Sequence, residues 1–253
     1  MILASYGRTL CYLLTICSAI MGCNRTQLLM MPAISETPSI AIYPSPEIDL
    51  DFHGEWTRQH YKERVKNFER NPLSRDDIVF IGDSITEGGG HWGKRFNMNN
   101  IKNRGISGDV SDGVLLRIGE ILYFQPKAIF LMIGFNDVNN IHYKKQISST
   151  EYVTDIIIDV ATKLTQGAPN TRVFVQSILP CRRDYINDMI DEINTAIALE
   201  FRGSSIVFID LHSYFTDDFG KMRESLTDDG VHLNEKGYQL WTKQLSPFVK
   251  ALN

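Results

Sequence analysis

Short apolar runs alternate with longer periodic stretches along the chain from about residue 52 onward. Runs that are almost continuously apolar are typical of buried strands, and they lie at 78–81, 128–134, 173–179 and 206–210. A weaker strand is predicted near 101–103. The sequence therefore predicts five strands, separated by segments of a different period.

In those segments, apolar residues recur three or four positions apart, which is the period of a helix that buries one face. The positions with this spacing are Tyr61, Val65 and Phe68; Val114, Leu115, Ile118 and Leu122; Val153, Ile156, Ile157, Val160 and Leu164; Ile186, Ile190, Ile193 and Ile197; and Tyr238, Trp241, Leu245 and Phe248. Apolar strands between such helices predict a three-layer α/β/α sandwich with a central, mostly parallel five-stranded sheet. Sheets of this kind carry their functional residues at the carboxyl ends of the strands.

The N-terminus differs in composition from the rest of the chain. Residues 1–35 contain no Asp or Glu, and Arg8 precedes the apolar stretch 10–23. That stretch is shorter than the roughly 20 residues of a membrane span and is typical of a signal peptide. It ends in "IMGC", which resembles a bacterial lipobox and implies that Cys23 is acylated. We therefore expect a lipoprotein signal peptide over 1–22 and a lipid-anchored protein of the bacterial cell envelope, exposed outside the cytoplasm.

The next segment is rich in polar residues and holds four prolines. This composition predicts a flexible tether over 23–50, followed by one domain over 51–253. Two alternatives stay open at the N-terminus: a signal peptide cleaved at another position, and an uncleaved anchor.

Composition and charge limit the remaining chemistry. A chain of 253 residues, 43% of them hydrophobic and with a formal net charge of −4, suits one soluble domain with a sizeable core. The absence of a clustered Lys and Arg excess argues against a nucleic-acid partner. Cys11 and Cys17 fall in the signal peptide and Cys23 would carry lipid, so Cys181 has no disulfide partner. The histidines share no metal-ligand spacing, and we expect no metal and no cofactor.

A cluster of glycines imitates two nucleotide-binding motifs. Gly88, Gly90 and Gly93 match G-x-G-x-x-G, and the stretch through Lys94 matches the first seven positions of a phosphate-binding loop. Both motifs require the loop to follow the strand directly, and here the glycines begin several residues late. Arg95 also stands where such a loop needs Ser or Thr for magnesium. We therefore predict a flexible surface loop rather than a nucleotide site.

Polar residues follow the strands where a parallel sheet would carry its chemistry. "GDS" (82–84) follows the first strand, "NRGISGD" (103–109) the second and "GFND" (134–137) the third, while "DGVH" (229–232) precedes the last helix. A serine hydroxyl is a weak nucleophile until a base, oriented by a carboxylate, removes its proton. The oxyanion that forms on attack needs preorganised donors, such as glycine N–H groups and an asparagine amide. These residue types together indicate acyl transfer.

The four segments stand in the order of the signature blocks of the SGNH hydrolases, also called GDSL esterases or lipases, and the sequence resembles that family over roughly 78–237. The resemblance is closest to the branch that contains the platelet-activating-factor acetylhydrolase catalytic subunits and bacterial carbohydrate acetylesterases. It implies a flavodoxin-like SGNH fold and an ester hydrolase.

The resemblance also implies a role for each matching residue. Ser84 matches the nucleophile and lends its backbone N–H to the oxyanion hole. Gly108 matches the second oxyanion donor through its backbone N–H, and Asn136 matches the third through its side-chain amide. His232 matches the general base, and Asp229 matches the acid that orients it.

Several neighbours of these residues need separate interpretation. Asp228 is a possible rival for the acid, but the D-x-x-H spacing favours Asp229. Phe135 stands where the family often carries Thr, a departure that could reshape the acyl pocket while sparing Asn136. We interpret the other acids of the blocks as structural hydrogen-bonding residues: Asp83, Asp109 and Asp137.

The sequence therefore predicts a serine esterase that acts through an acyl-Ser84 intermediate on carboxylic esters, with short-chain or acetyl esters favoured. The expected partners are a small ester or an O-acetylated glycan as substrate, and a membrane that holds the N-terminal lipid. Two alternatives stay open: a lysophospholipase or thioesterase of the same family, and a non-catalytic envelope binding module that retains the fold.

Overall fold

The structure is a computed structural model that describes residues 41–252. Its centre is a sheet of five parallel strands in the order β2-β1-β3-β4-β5. The strands are β1 Ile78–Gly82, β2 Ile101–Gly105, β3 Ala128–Met132, β4 Arg172–Gln176 and β5 Val207–Ile209. The five predicted strands and their parallel arrangement are confirmed.

Helices cover the sheet, and most of them are short. They are α1 Glu55–Arg70, α2 Ser84–Gly88, α3 Trp92–Phe96, α4 Ser111–Leu116, α5 Gly119–Phe124, α6 Phe135–Asn139, α7 Thr150–Gly167, α8 Asn187–Glu200, α9 His212–Phe215 and α10 Glu235–Lys250. A π-helical turn, Asn140–Lys144, continues α6, and a 3₁₀ turn, Glu224–Leu226, precedes α10. The four long helices α1, α7, α8 and α10 lie where the apolar periodicity predicts them.

Two hydrophobic clusters, one on each face of the sheet, define the three layers. Alternate strand residues such as Val79 and Leu131 pack with the apolar faces of α4, α5, α7 and α8. The intervening residues, such as Phe80, pack with Trp92 of α3 and Trp241 of α10. Because side chains alternate along a strand, nearly continuous apolar runs fill both clusters at once. The predicted α/β/α sandwich is therefore confirmed.

The predicted helix through Val114, Leu115, Ile118 and Leu122 is instead two short helices, α4 and α5, which break at Arg117. The buried Arg117 side chain turns inward and donates to the carbonyl oxygens of Arg104 at 2.7 Å and Gly82 at 3.0 Å, and to Asp109 at 3.0 Å. A buried guanidinium left without partners is costly, so these bonds favour the break over a continuous helix. The spacing of apolar residues alone does not predict this break.

Residues 41–50, which the composition assigns to the tether, contact the domain. Tyr43 donates to Glu120 at 3.1 Å, and Asp49 pairs with Arg58 of α1 at 2.5 Å. Part of the predicted tether therefore packs against the domain rather than extending from it. The predicted signal peptide and Cys23 lie outside the described residues. Within 41–252, no helix is both long and apolar enough to cross a membrane.

Candidate active site

Ser84 lies at the carboxyl end of β1, where it is the first residue of α2. The buried Asp83 caps this helix, because its Oδ1 accepts the backbone N–H of Ile85 at 2.9 Å. A Cβ at Gly82 would lie only 2.0 Å from the carbonyl oxygen of Met132, so the strand can turn here only with glycine. This local structure places the half-buried Ser84 hydroxyl at the edge of the sheet.

His232 and Asp229 extend from Ser84 as a hydrogen-bonded chain. The Oγ of Ser84 lies 3.0 Å from Nε2 of His232, and Nδ1 of the same ring lies 2.6 Å from Oδ2 of Asp229. The structure therefore brings together three residues that are up to 148 positions apart in the sequence. A serine, an imidazole and a carboxylate in this order are the arrangement that activates a hydroxyl for nucleophilic attack.

The loop that carries the histidine and the acid is held by its own hydrogen bonds. Oδ1 of Asp229 accepts the backbone N–H groups of Val231 at 2.9 Å and His232 at 2.7 Å. Partial burial acts to raise the pKa of Asp229, but the imidazole and these two N–H groups outweigh it and lower the pKa to about 2. The rival Asp228 instead contacts Asn234 at 3.3 Å and is not bonded to the imidazole.

The two other predicted oxyanion donors lie on the loop after β2 and at the start of α6. Gly108 has a φ of +81°, and a Cβ there would lie 2.5 Å from Oγ1 of Thr57, so this position requires glycine. Asn136 is the second residue of α6, and its Nδ2 donates to the carbonyl oxygen of Asp109 at 2.9 Å. Within residues 41–252, the backbone N–H groups of Ser84 and Gly108 donate to no protein acceptor.

Three buried acids surround these donors, as the structural interpretation of the sequence expects. Burial raises the pKa of Asp83 and of Asp137 to about 7, although backbone and serine hydrogen bonds act in the opposite direction. The carboxylate of Asp109 accepts from His53 at 3.1 Å and from Arg117 at 3.0 Å. Sequence reasoning considered His53 only as a metal ligand and missed this contact with Asp109, because His53 lies outside the four blocks.

A second group of side chains forms a rim beside this site, and sequence reasoning missed it. The backbone N–H of Arg182 donates to the carbonyl oxygen of Gly230 at 2.8 Å, next to Asp229. Arg183 donates to Oδ1 of Asn139 at 2.6 Å, three residues beyond Asn136 on α6. The loop after β4 therefore reaches both the acid–histidine loop and the helix of the amide donor.

Two aromatic rings lie on these same segments, Tyr185 on the loop after β4 and His142 on the π-helical turn that continues α6. The ring of Tyr185 is 77% exposed and stacks on His142 with centroids 6.0 Å apart and an interplanar angle of 13°. Tyr185 also has a φ of +67°, which is uncommon for a residue with a side chain. Phe135 is buried, and the guanidinium of Arg183 lies 5.9 Å from its ring centroid. We call Arg183, Tyr185 and His142 the aromatic rim.

The glycine cluster has a structural role in the turn between α2 and α3. The amide of Asn103 donates to the carbonyl oxygens of Thr86, Glu87 and Gly90 at 3.0 to 3.2 Å, which holds the turn against β2. The loop that the sequence predicts to be flexible is therefore held in place by hydrogen bonds.

In the described part of the chain, no group of three or more His, Cys, Asp or Glu residues is arranged to hold a metal ion. Cys181 is buried with a free thiol.

A serine bonded to a histidine–aspartate pair at the carboxyl edge of a parallel sheet, beside unpaired N–H donors, is the arrangement of a serine-dependent acyl hydrolase. The family profile agrees: the chain belongs to the GDSL-like lipase/acylhydrolase family, which matches residues 80–240. The resemblance seen in the sequence is confirmed by this match.

Individual relatives show the extent of the similarity. The platelet-activating factor acetylhydrolase IB subunit beta homolog of Drosophila melanogaster is 31% identical over 144 residues, 55% of this chain and 59% of that protein. An acetylxylan esterase of Xylanibacter ruminicola is 24% identical over 257 residues, 84% of this chain and 52% of that protein. This chain thus spans just over half the length of these relatives.

A solved structure supports the same fold. It is described as a putative platelet activating factor from Streptococcus pneumonia, and it superposes on this chain with a TM-score of 0.67 and 26% sequence identity. The similarity covers 77% of this chain and 94% of that one. The flanking helices and parallel sheet are therefore those of the family fold.

Proposed function

We propose that this protein hydrolyses carboxylic esters through an acyl-enzyme intermediate on Ser84. The observation that carries the proposal is the continuous chain of hydrogen bonds from Ser84 through His232 to Asp229. A protein that only bound a ligand would have no need of a hydroxyl, an imidazole and a carboxylate in this order. Family membership supports the same reaction class.

In the proposed reaction, Nε2 of His232 takes the Ser84 proton while Oγ attacks the ester carbonyl carbon. The carbonyl oxygen then becomes an oxyanion, which accepts from the N–H groups of Ser84 and Gly108 and from the Asn136 amide. When the tetrahedral intermediate collapses, the bond to the alcohol breaks and His232 gives it the proton. Water repeats these steps on the acyl enzyme and releases the acid. Asp229 keeps the ring oriented and stabilises its charged form throughout.

We further propose that the acyl group is short, with an acetyl ester of a carbohydrate as the substrate. A relative named acetylxylan esterase supports this choice, as do solved structures of other acetylxylan esterases with the same fold. The side chains of His232 and Asp229 are 52% and 54% exposed, so a bulky alcohol can approach the base from solvent. The aromatic rim offers flat faces and polar tips, which suit the apolar face and hydroxyls of a sugar ring.

A fluorophosphonate probe tests the reaction class, because it labels only an activated serine. We expect labelling of the wild-type protein at Ser84 and none in Ser84→Ala. The same change should remove nearly all hydrolysis of p-nitrophenyl acetate while circular dichroism stays that of a folded protein. Ser205→Ala, which alters an exposed serine in the turn before β5, is the matched control and should keep full activity. A folded, active Ser84→Ala protein would refute the mechanism.

The same protein preparation separates the remaining alternatives. A thioesterase or lysophospholipase would prefer acyl-coenzyme A or lysophospholipid to acetylated xylooligosaccharide in a comparison of kcat/KM. A non-catalytic binding module would retain glycan binding but would be neither labelled nor active on any ester. Acetate release from acetylated xylooligosaccharide is the result that supports the carbohydrate proposal.

A further inference from the structure

Two serines make the same unusual contact with a carboxylate: Ser107 on the loop after β2 and Ser111 at the start of α4. Oε2 of Glu87 accepts both the backbone N–H and the hydroxyl of Ser107, each at 2.6 Å. Oδ1 of Asp137 accepts the hydroxyl of Ser111 at 2.5 Å, and its two oxygens share the Ser111 N–H at 3.0 and 3.1 Å. These serines flank Gly108, one position before it and three after it.

The carboxylates come from the two helices that carry the other oxyanion donors. Glu87 lies on α2, three residues after Ser84, and Asp137 lies on α6, next to Asn136. Each end of the Gly108 loop is thus tied to a helix that holds a different donor. We propose that Glu87 and Asp137 are positioning residues that fix the three oxyanion donors relative to one another. We call the pairs Glu87–Ser107 and Asp137–Ser111 the oxyanion brace.

Oxyanion donors need fixed positions, which the oxyanion brace would supply. Donors stabilise an oxyanion only when they already lie within about 3 Å of the position that it will occupy. Gly108 lies on a loop, and glycine can adopt many backbone conformations besides its φ of +81°, so the direction of its N–H has to be fixed by contacts from outside. Hydrogen bonds to a charged carboxylate are shorter and roughly twice as strong as those between neutral groups. The Glu87–Ser107 contacts are of this kind, and together with the Asp137–Ser111 contacts on the other side they hold the Gly108 N–H in place.

Basic side chains from α1 keep the Glu87 half of the brace charged. His60 lies 2.9 Å from Oε2 of Glu87, and Arg64 lies 3.3 Å from Oε1. Burial acts to raise the pKa of Glu87, but the bonds from Ser107 and His60 and the charge of Arg64 outweigh it and lower the pKa. Glu87 is therefore ionised at neutral pH, as a strong acceptor should be.

Neither half of the brace belongs to the Ser84–His232–Asp229 chain. Among residues 41–252, the carboxylates of Glu87 and Asp137 form no hydrogen bond with any member of it. Loss of the brace should therefore leave the proton transfer intact and displace only the oxyanion donors. Such a displacement weakens binding of the transition state more than binding of the substrate. This inference rests on the proposed ester hydrolysis.

The test compares Glu87→Gln with wild type in steady-state hydrolysis of p-nitrophenyl acetate. The amide keeps the size of the side chain but removes the charge, and we expect kcat to fall about 10- to 100-fold with KM changed less than about threefold. Glu192→Gln, an exposed acid on α8, is the matched control and should match wild type. Asp137→Asn should reproduce the kcat loss if it folds, but Glu87 is only half-buried and its variant decides the question.

A double-mutant cycle shows whether Glu87 acts through the oxyanion hole. In an Asn136→Ala background, Glu87→Gln should cost less than in wild type, because the hole is already impaired. A folded Glu87→Gln protein with unchanged kcat, or with raised KM alone, overturns the brace. Strict additivity of the two changes also overturns it. A wild-type protein that hydrolyses no ester overturns the proposed function itself. An active wild-type protein whose kcat is unchanged by Glu87→Gln overturns only the oxyanion brace.

Discussion

The side-chain amide of Asn136 donates to the carbonyl oxygen of Asp109 at 2.9 Å. An asparagine amide has two N–H donors, so this bond consumes one and fixes the direction of the other. Asp109 directly follows Gly108, and the same hydrogen bond therefore sets the amide beside the Gly108 loop. The carboxylate of Asp109 is held in turn by His53 and Arg117, which makes its carbonyl a rigid acceptor.

This relationship makes Asn136→Ala a sharp test of the donor role. The oxyanion gains a charge that the ground-state ester lacks, so a donor aimed at it lowers the barrier rather than tightening substrate binding. Loss of one such donor in another hydrolase costs about 10² to 10³ in kcat, and we expect a loss of that order here. Steady-state kinetics with p-nitrophenyl acetate measures it, with the exposed Asn170→Ala as control. A raised KM with unchanged kcat would contradict the assignment.

The pH dependence of kcat/KM should report the protonation of His232 and not that of Asp229. With a pKa of about 2, Asp229 stays ionised throughout the range in which the protein can be assayed. Only a neutral imidazole accepts the Ser84 proton, so kcat/KM should fall as the pH is lowered from about 8 to 5, where imidazoles gain their proton. A profile that stays flat down to pH ~4.5 would argue against a histidine base.

Asp229→Asn should reduce the rate far more than the stability. Its depressed pKa means that ionised Asp229 stabilises the fold above the ordinary carboxyl range, and that this contribution disappears as pH falls toward about 2. The side chain is 54% exposed, so solvent screens most of that contribution. In catalysis the amide cannot stabilise an imidazolium, and we expect kcat to fall by roughly 10² to 10⁴. A loss of thermal stability large enough to account for the lost activity would point to a structural role.

Much of this fold follows directly from the pattern of apolar positions. Strands buried on both faces are nearly continuous apolar runs, and long helices with one buried face repeat every 3.6 residues, so both are visible in the sequence. Helices of five or six residues contain too few turns to show a period, which is why α2, α3 and α6 are not predicted. The break at Arg117 depends on carbonyl groups of Gly82 and Arg104 that only the folded chain brings near.

The candidate site likewise has residues that can be predicted from the sequence and contacts that only the structure shows. Ser84, Gly108, Asn136, Asp229 and His232 lie in short segments that resemble the signature blocks of the family, so the resemblance assigns their roles without a structure. The contacts of Glu87 with Ser107 and of Tyr185 with His142 join residues that are not near in sequence. Nothing in the local composition marks such pairs, and loops after strands take conformations that apolar spacing does not encode.

The lipid anchor proposed from the sequence is tested by Cys23→Ser. One acyl chain binds a membrane only marginally, whereas several chains give stable anchoring. In a bacterial host, full-length protein should sediment with membranes, and Cys23→Ser should either leave that fraction or stay unprocessed. Cys181→Ser, which alters the buried thiol, is the control and should still sediment. A wholly soluble wild-type protein would refute lipidation without touching the catalytic proposal.

The proposed carbohydrate substrate makes a specific prediction for the aromatic rim. If a sugar ring stacks on Tyr185, removal of this ring should weaken binding of the glycan and leave small esters unaffected. Aromatic stacking contributes about 0.5 to 1.5 kcal/mol, which corresponds to roughly a twofold to tenfold rise in KM for acetylated xylooligosaccharide. Hydrolysis of p-nitrophenyl acetate, which carries no sugar ring to stack on Tyr185, should stay within about twofold of wild type.

Tyr185→Gly is the informative substitution. Glycine adopts the φ of +67° without the cost that a side chain imposes, so this change should not destabilise the loop while it removes the ring. A thermal melt verifies that stability is retained, and Tyr214→Ala, which removes another exposed tyrosine on α9, is the matched control. If KM for the glycan is unchanged, or if both substrates lose activity equally, the rim does not bind the sugar. A selective rise in KM for the glycan would instead identify Tyr185 as the residue that distinguishes a carbohydrate ester from a simple one.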